Sequence, residues 1–344
     1  MRCSNAPSDD EYGETERIPV FIVTGFLGSG KTTLLNRMVR NPELSNSAIL
    51  INEFGKISID HLRLVVPATR LAILKNGCVC CSLGSNLVQA LLDLEAKAMC
   101  LEVPRFSRVI LETTGLADVA PLLERLLENG SFNRRFRLEK VLTTVDAINF
   151  HSQATYGEAM AQIAGADSIV ITKSDIAPEP AASLAEQLRR MNPLAQISIG
   201  DEFDAMEFFG LRAAVGSPVR RARPAKTTPS VSEVSRAGLI VPSIRSFALV
   251  YEEPVSWLAM HRFFDALVAF CPTTILRVKG FVRVEGIVDA VSIDLVQRLL
   301  HSPSRVSWRA KPATQLVFIM RNSSSEALEH AFLSCANAWP SSIH

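Results

Sequence analysis

The 344-residue chain predicts an α/β fold. A mostly parallel sheet covered by helices on both faces is followed by a smaller C-terminal α+β domain. Three observations predict it. In the first half, short apolar runs rich in β-formers alternate with segments at helical spacing. The first of these runs ends in a glycine-rich loop that opens a helix. Past residue 215 the alternation gives way to prolines and arginines, and a second set of strands follows.

Residues 1–17 are polar and acidic, lack the apolar core of a secretory signal, and read as a disordered N-terminus. Residues 18–24 form the first predicted strand, and 32–40 continue at helical spacing. Apolar runs at 48–51, 71–74, 109–111, 141–145 and 168–172 repeat the pattern, which assigns 18–215 to one domain. Continuously apolar strands of this kind are buried on both faces, as in parallel sheets. Ligands of such sheets bind at the carboxyl ends of the strands. Between residues 216 and 242, Pro218, Pro224, Pro229 and Pro242 interrupt a stretch carrying Arg220, Arg221, Arg223 and Lys226, which reads as a solvated linker. The second domain, 243–337, has strands at 247–251, 275–284 and 316–320. A helix opened by Pro254 carries an apolar stripe of Trp257, Met260, Phe264 and Leu267, and a closing helix spans 324–335.

The net charge of +1 gives no electrostatic reason to expect nucleic acid or an acidic membrane surface as partner. No run approaches the ~18 apolar residues that would suggest a membrane span. A cytoplasmic protein is expected. Of seven cysteines, Cys78, Cys80 and Cys81 cluster, while Cys3, Cys100, Cys271 and Cys335 are scattered; they form no disulfide framework. In a reducing compartment a tight cluster points to metal or redox chemistry.

The glycine loop reads Gly25-Phe26-Leu27-Gly28-Ser29-Gly30-Lys31-Thr32, the signature of a P-loop NTPase. Glycines at 25, 28 and 30 let the backbone, Ser29 included, turn its N–H groups toward one anion, and the following helix adds its positive end. Lys31 then reaches the β- and γ-phosphates, and the Thr32 hydroxyl is a ligand for Mg²⁺. At the end of 168–172 stand Thr172-Lys173-Ser174-Asp175. One carboxylate, Asp175, accepts both donors on the guanine edge, a pair adenine lacks, and the Lys173 stem covers a face of the base. Thr172 stands where many GTPases have asparagine. Glu112, ending the run at 109–111, is a candidate Mg²⁺ ligand. Gly115 beyond it lets a backbone N–H approach the γ-phosphate. Lys31, Thr32 and Glu112 are the expected catalytic residues. Asn52-Glu53-Phe54-Gly55 ends another run, which puts Glu53 either in a mobile segment near Mg²⁺ or a bound metal, or in an ordinary loop. No arginine is positioned as a finger, so hydrolysis should be slow.

Gly77 precedes Cys78-Val79-Cys80-Cys81. In an extended strand Cys78 and Cys80 share a face and Cys81 opposes them; in a loop all three sulfurs can converge. Thiolates suit Zn²⁺ and other borderline ions, leaving one position for a carboxylate, water or a partner's ligand. Buried structural thiols and a redox pair are the alternatives. The six histidines are scattered and none is nominated as a ligand.

With these residues in hand, GFLGSGKTT (25–33), NEFG (52–55), GCVCCS (77–82), ETTGLAD (112–118) and TKSD (172–175) together resemble the CobW-type metal-chaperone GTPases. Residues 276–280 and 316–319 are similar to that family's second domain, so the resemblance runs from about 18 to 337. It implies a GTPase that binds Zn²⁺ or Co²⁺ at Cys78, Cys80 and Cys81, with Lys31, Thr32 and Thr33 contacting phosphates and Mg²⁺. Nucleotide state would set metal affinity, and the metal would pass to a client metalloprotein or a cobalamin pathway. Many relatives carry a histidine-rich stretch between the domains, which this linker lacks. Two other readings compete: an ATP-dependent small-molecule kinase, and a non-catalytic metal-binding or scaffold protein.

Overall fold

Apolar runs with β-branched residues become strands, and the intervening segments at helical spacing become helices. The computed structural model describes residues 17–51, 71–73, 84–211, 230–233, 244–270, 275–296, 299–300, 303–307, 313–321 and 328. They belong to two compact units, one built on a parallel sheet and one on an antiparallel sheet. The expected disordered N-terminus 1–17, Arg17 excepted, lies outside the described residues.

The first unit runs β1 (Ile18–Gly25), α1 (Lys31–Met38), β2 (Ser47–Ile51), β3 (Leu71–Ile73), α2 (Gly84–Met99), β4 (Arg108–Glu112), α3 (Val119–Glu128), α4 (Gly130–Arg135) and β5 (Phe136–Asp146). It continues through α5 (Phe150–Gln153), α6 (Gly157–Ala164), β6 (Ser168–Thr172), α7 (Pro178–Met191, grouped with the second unit from Glu186 on), β7 (Gln196–Ile199) and α8 (Ala205–Phe208). The strands pair in the order β3-β2-β4-β1-β5-β6-β7, every pair parallel. The expectation of a mostly parallel sheet is borne out.

Phe21, Val23, Ile49, Ile51 and Ile110 pack with Leu34, Leu35 and Met38 of α1 and with Met206, Phe208 and Phe209 around α8. The alternate residues Val20, Ile22, Val109 and Leu111 are equally buried and point to the opposite face by strand alternation. Burial on both faces is why these strands read as unbroken apolar runs. Cys100, just past α2, is disulfide-bonded.

Register matters most at the carboxyl edge. Val23 pairs with Glu112, Gly25 with Thr144, and Asp146 with Thr172. On the other flank Ile51 lies between Glu112 and Ile73. The polar residues that end β1, β4, β5 and β6 therefore share one edge.

The second unit comprises β8 (Ser230–Glu233), β9 (Ile244–Tyr251), α9 (Trp257–Phe270), β10 (Ile275–Val282), β11 (Ala290–Val296), β12 (Leu299–Leu300), β13 (Ser304–Val306) and β14 (Thr314–Arg321). The sheet order is β12-β11-β10-β14-β9-β8, with β13 also pairing β11. Strand β8 lies inside the stretch expected to be a solvated linker; its main chain pairs antiparallel with β9. Met260, Phe264 and Leu267 of the predicted stripe are buried in the core of this unit, joined by Phe263 and by Leu328 from the expected closing helix. The helix opens at Trp257 rather than Pro254. Val255 is held in a main-chain bridge to Val284, and Ser256 Oγ accepts from Ala259 N, so the first turn begins only after the cap. Trp257 accordingly stays 39% exposed.

Candidate functional site

The turn between β1 and α1 has Gly25, Gly28 and Gly30 at φ 143°, 70° and 87°, a region in which L side chains are strained. At Gly25 a second reason applies. A Cβ there would stand 2.5 Å from Thr144 O and 2.6 Å from Ser29 Oγ, and closer still to Thr144 Oγ1. Ser29 and Thr144 share a buried hydrogen bond of 2.7 Å that ties the turn to β5. Gly30 offers no capping side chain to α1, so the first N–H groups of the helix remain an anion-binding end. Lys31 Nζ donates to Gly25 O at 2.9 Å and Phe26 O at 3.1 Å, holding the ammonium under the loop. Thr33 is exposed in the first turn of α1.

Thr32 Oγ1 donates to Glu112 Oε1 at 2.8 Å, joining α1 to the buried end of β4. Two adjacent hard oxygen donors beside the phosphate turn fit Mg²⁺, which prefers one or two protein oxygens and otherwise keeps water and phosphate ligands. Beyond Glu112, Thr113 N donates to Val23 O at 3.0 Å and Thr113 Oγ1 to Thr24 Oγ1 at 2.8 Å. Gly115 abuts the phosphate turn: its Cβ would lie 2.7 Å from Leu27 N. A residue the sequence reading did not nominate, Gln162 of α6, is buried and donates to Gly115 O at 3.3 Å and Ala117 O at 2.8 Å. The β4 loop is thus braced against the phosphate turn on one side and α6 on the other.

At the far end of the site, Thr172 Oγ1 donates to Ser29 O at 2.8 Å and to Val145 O at 3.2 Å. Its hydroxyl braces the phosphate turn against β6. Lys173 has φ 58° and donates from Nζ to Asp146 Oδ2 at 2.6 Å. Asp146 is fully buried and accepts further from Ile148 N, Asn149 N and Asn149 Nδ2. Burial raises its pKa, but the hydrogen bonds from Lys173, Asn149 and the Ile148 and Asn149 amides outweigh this and hold the carboxyl below its ordinary range. Asp175 is exposed beside this turn. Gly200, at the end of β7, comes so close to Ser174 that a Cβ would collide with the serine hydroxyl. Arg37 of α1 donates to Gly200 O at 3.2 Å and pairs with Asp201.

The structure thus gathers Gly25, Gly28, Ser29, Gly30, Lys31, Thr32, Glu112, Gly115, Thr172 and Lys173 at one sheet edge. Glu53, Cys78, Cys80 and Cys81 lie outside the described residues. Among the described residues no group of three His, Cys, Asp or Glu side chains is placed to hold a metal, and no helix is long and apolar enough to cross a membrane. The sequence reading missed Thr144, Asp146, Gln162 and Gly200. For Asp146 a signal existed: like Glu112, it is a carboxylate closing an apolar strand.

Residues 19–198 match the family described as CobW/HypB/UreG, nucleotide-binding domain, and residues 244–336 match the cobalamin synthesis protein cobW C-terminal domain. The zinc chaperone YjiA of Escherichia coli (strain K12) is 31% identical over 320 residues, covering 92% of this chain and 98% of YjiA. The crystal structure of Zn(II)-bound YjiA GTPase from E. coli superposes with a TM-score of 0.69 at 26% identity, covering 93% of this chain and 99% of that one. The zinc chaperone CobW of Pseudomonas aeruginosa is 29% identical over 237 residues, covering 66% of this chain and 59% of its own length.

Proposed function

This chain belongs to the CobW family of nucleotide-binding proteins, and from that premise we propose that it is a GTP-hydrolysing metallochaperone carrying Zn²⁺ or Co²⁺ to a client metalloprotein in the cytoplasm. GTP is its substrate. Residues 18–215 act as the GTPase domain and 243–337 as the accessory α+β domain. The loop backbone from Gly25 to Gly30 and the Lys31 ammonium hold the phosphates, and Thr32 and Glu112 would hold Mg²⁺. When bound, the ion neutralises the terminal phosphate oxygens. Turnover is expected to be slow, as no arginine is marked by the sequence as a finger.

The cargo site consists of Cys78, Cys80 and Cys81, with Glu53 as a candidate fourth ligand. Thiolates favour a borderline ion over Mg²⁺, and the chain resembles relatives named zinc chaperones. One observation carries the link between cargo and nucleotide: Ile73 pairs with Ile51, Ile51 with Glu112, and Glu112 with Val23. The segments bearing Glu53 and the cysteines leave β2 and β3 at the edge that carries the phosphate turn. With strands about 4.8 Å apart, β3 lies about 14 Å from β1, within reach of a loop that responds to the γ-phosphate.

Titrating Zn²⁺ and Co²⁺ into the protein loaded with Mg·GTP analogue or with GDP tests this reading. Affinities in the two states are expected to differ about tenfold or more. Equal affinities in both states would remove the coupling, since a ligand that binds two states equally shifts neither.

Base choice has its own test. Asp175→Asn is expected to weaken GTP binding about 10- to 100-fold, the loss of charge-assisted hydrogen bonds worth about 1.5–3 kcal/mol. ATP binding, measured by competition, should change little. A variant that still prefers GTP over ATP as the native chain does would show that Asp175 does not read the base. A native chain that prefers ATP would instead favour the kinase reading.

A further inference from the structure

We infer that Asp146 is the positioning residue of the base site: its buried carboxylate clamps the Lys173 ammonium so that the lysine stem lies as a fixed platform for the purine face. The inference rests on the nucleotide-site reading above and adds to it a residue outside the phosphate turn and the Thr172–Asp175 run.

Three observations converge on it. First, Asp146 closes β5 directly beside Thr172, the last residue of β6, so its carboxylate and the Lys173 backbone emerge from neighbouring strands. Second, Lys173 is one of two non-glycine residues at positive φ among the described residues, at 58°. Such a conformation persists where surrounding contacts impose it. Here the contacts are the 2.6 Å bond from Nζ to Asp146 Oδ2 and the turn beyond, in which Ile176 N and Ala177 N both donate to Lys173 O. Third, Asp146 already satisfies its own turn without the lysine. Ile148 N and Asn149 N bond Oδ1, and Asn149 Nδ2 bonds Oδ2. The bond to Lys173 is the one that reaches across 27 residues to the base-site strand.

A lysine side chain free in solution samples many rotamers, and pinning its head leaves the four-carbon stem in one place. Thr172, meanwhile, spends its hydroxyl on Ser29 O and Val145 O. That leaves Lys173 and Asp175 as the side chains of the run that the nucleotide-site reading assigns to the base.

Asp146→Asn leaves the turn's donors an acceptor but removes the charge that pins the ammonium. If the platform is then in place about a tenth of the time, GTP and GDP each bind about tenfold more weakly. Both nucleotides should lose the same factor, with KM raised and kcat unchanged, because the platform touches the base and not the γ-phosphate. Inorganic tripolyphosphate, which has no base, should compete for the site as strongly as with the native chain. Unchanged GTP and GDP affinity would overturn the inference, and so would a parallel loss of tripolyphosphate binding, which would mark general damage to the site.

Should Asp146→Asn fail to melt cooperatively, Lys173→Met provides the same test with the buried carboxylate and its three remaining donors intact, and the same base-dependent loss is expected. In the double variant the losses should not add, as for two members of one contact; additive losses would overturn the clamp. A GTP-against-ATP competition on the native chain separates this result from the guanine reading. The platform serves either purine, so Asp146→Asn should weaken ATP as well as GTP even if no guanine preference exists.

Discussion

The Lys31→Ala variant is expected to hydrolyse GTP at least about 100-fold more slowly than the native chain, the usual cost of removing a preorganised charge from a transition state. Lys31 Nζ sits beneath the turn on the carbonyls of Gly25 and Phe26, the position from which it reaches phosphate oxygens as charge shifts toward them. Its side chain is only half-buried and takes no part in the hydrophobic core, so the fold should survive. The measurement is single-turnover hydrolysis on protein whose melting curve matches the native one. An unchanged multiple-turnover rate would mean that the activity comes from elsewhere, and the scaffold reading would then gain.

Gly25→Ala is expected to be among the most damaging single-methyl changes at the described glycines of the nucleotide domain. The new Cβ would press on Thr144 O, a backbone atom in the centre of the sheet, and on the Ser29 and Thr144 hydroxyls that bond to each other. It would do so at φ 143°. Overpacking and backbone strain together should cost about 2–4 kcal/mol, or about 5–15 °C in melting temperature for a domain of this size. GDP should no longer stabilise the protein, because the turn that cradles it has been displaced. Gly28→Ala is the control: it carries the φ penalty alone, with nothing within 4 Å of its Cβ, and should cost about 1 kcal/mol. A Gly25→Ala protein that melts and binds GDP like the native chain would show that the turn is looser than its contacts indicate.

Much of the site could be read from residue order because parallel sheets concentrate chemistry at one edge. Gly25, Glu112 and Thr172 each end an apolar strand, and the pairing of β1, β4, β5 and β6 brings those ends together. Roles were harder to read than places. Thr172, which precedes the two residues assigned to the base, spends its hydroxyl on the phosphate turn. Gly115, expected to yield a mobile N–H, is also held by close contact with Leu27 and by Gln162. The start of α9 was displaced by three residues because the Val255–Val284 bridge competes with the helix that Pro254 would open. Main-chain pairing to a partner distant in sequence leaves no periodic trace.

By itself the sequence determined what is local: the left-handed glycines of the phosphate turn, the thiol cluster at 78–81, and the unbroken apolar runs that commit the first half to a parallel sheet. These follow from torsional preference, ligand chemistry and burial, each readable within a few neighbouring residues. Tertiary structure alone decided which distant groups meet: Thr172 with Ser29 across 143 residues, Gln162 with Gly115 across 47, and Asp146 with Lys173 across 27. A hydrogen bond is set by distance and direction in space, and folding, not spacing along the chain, supplies both.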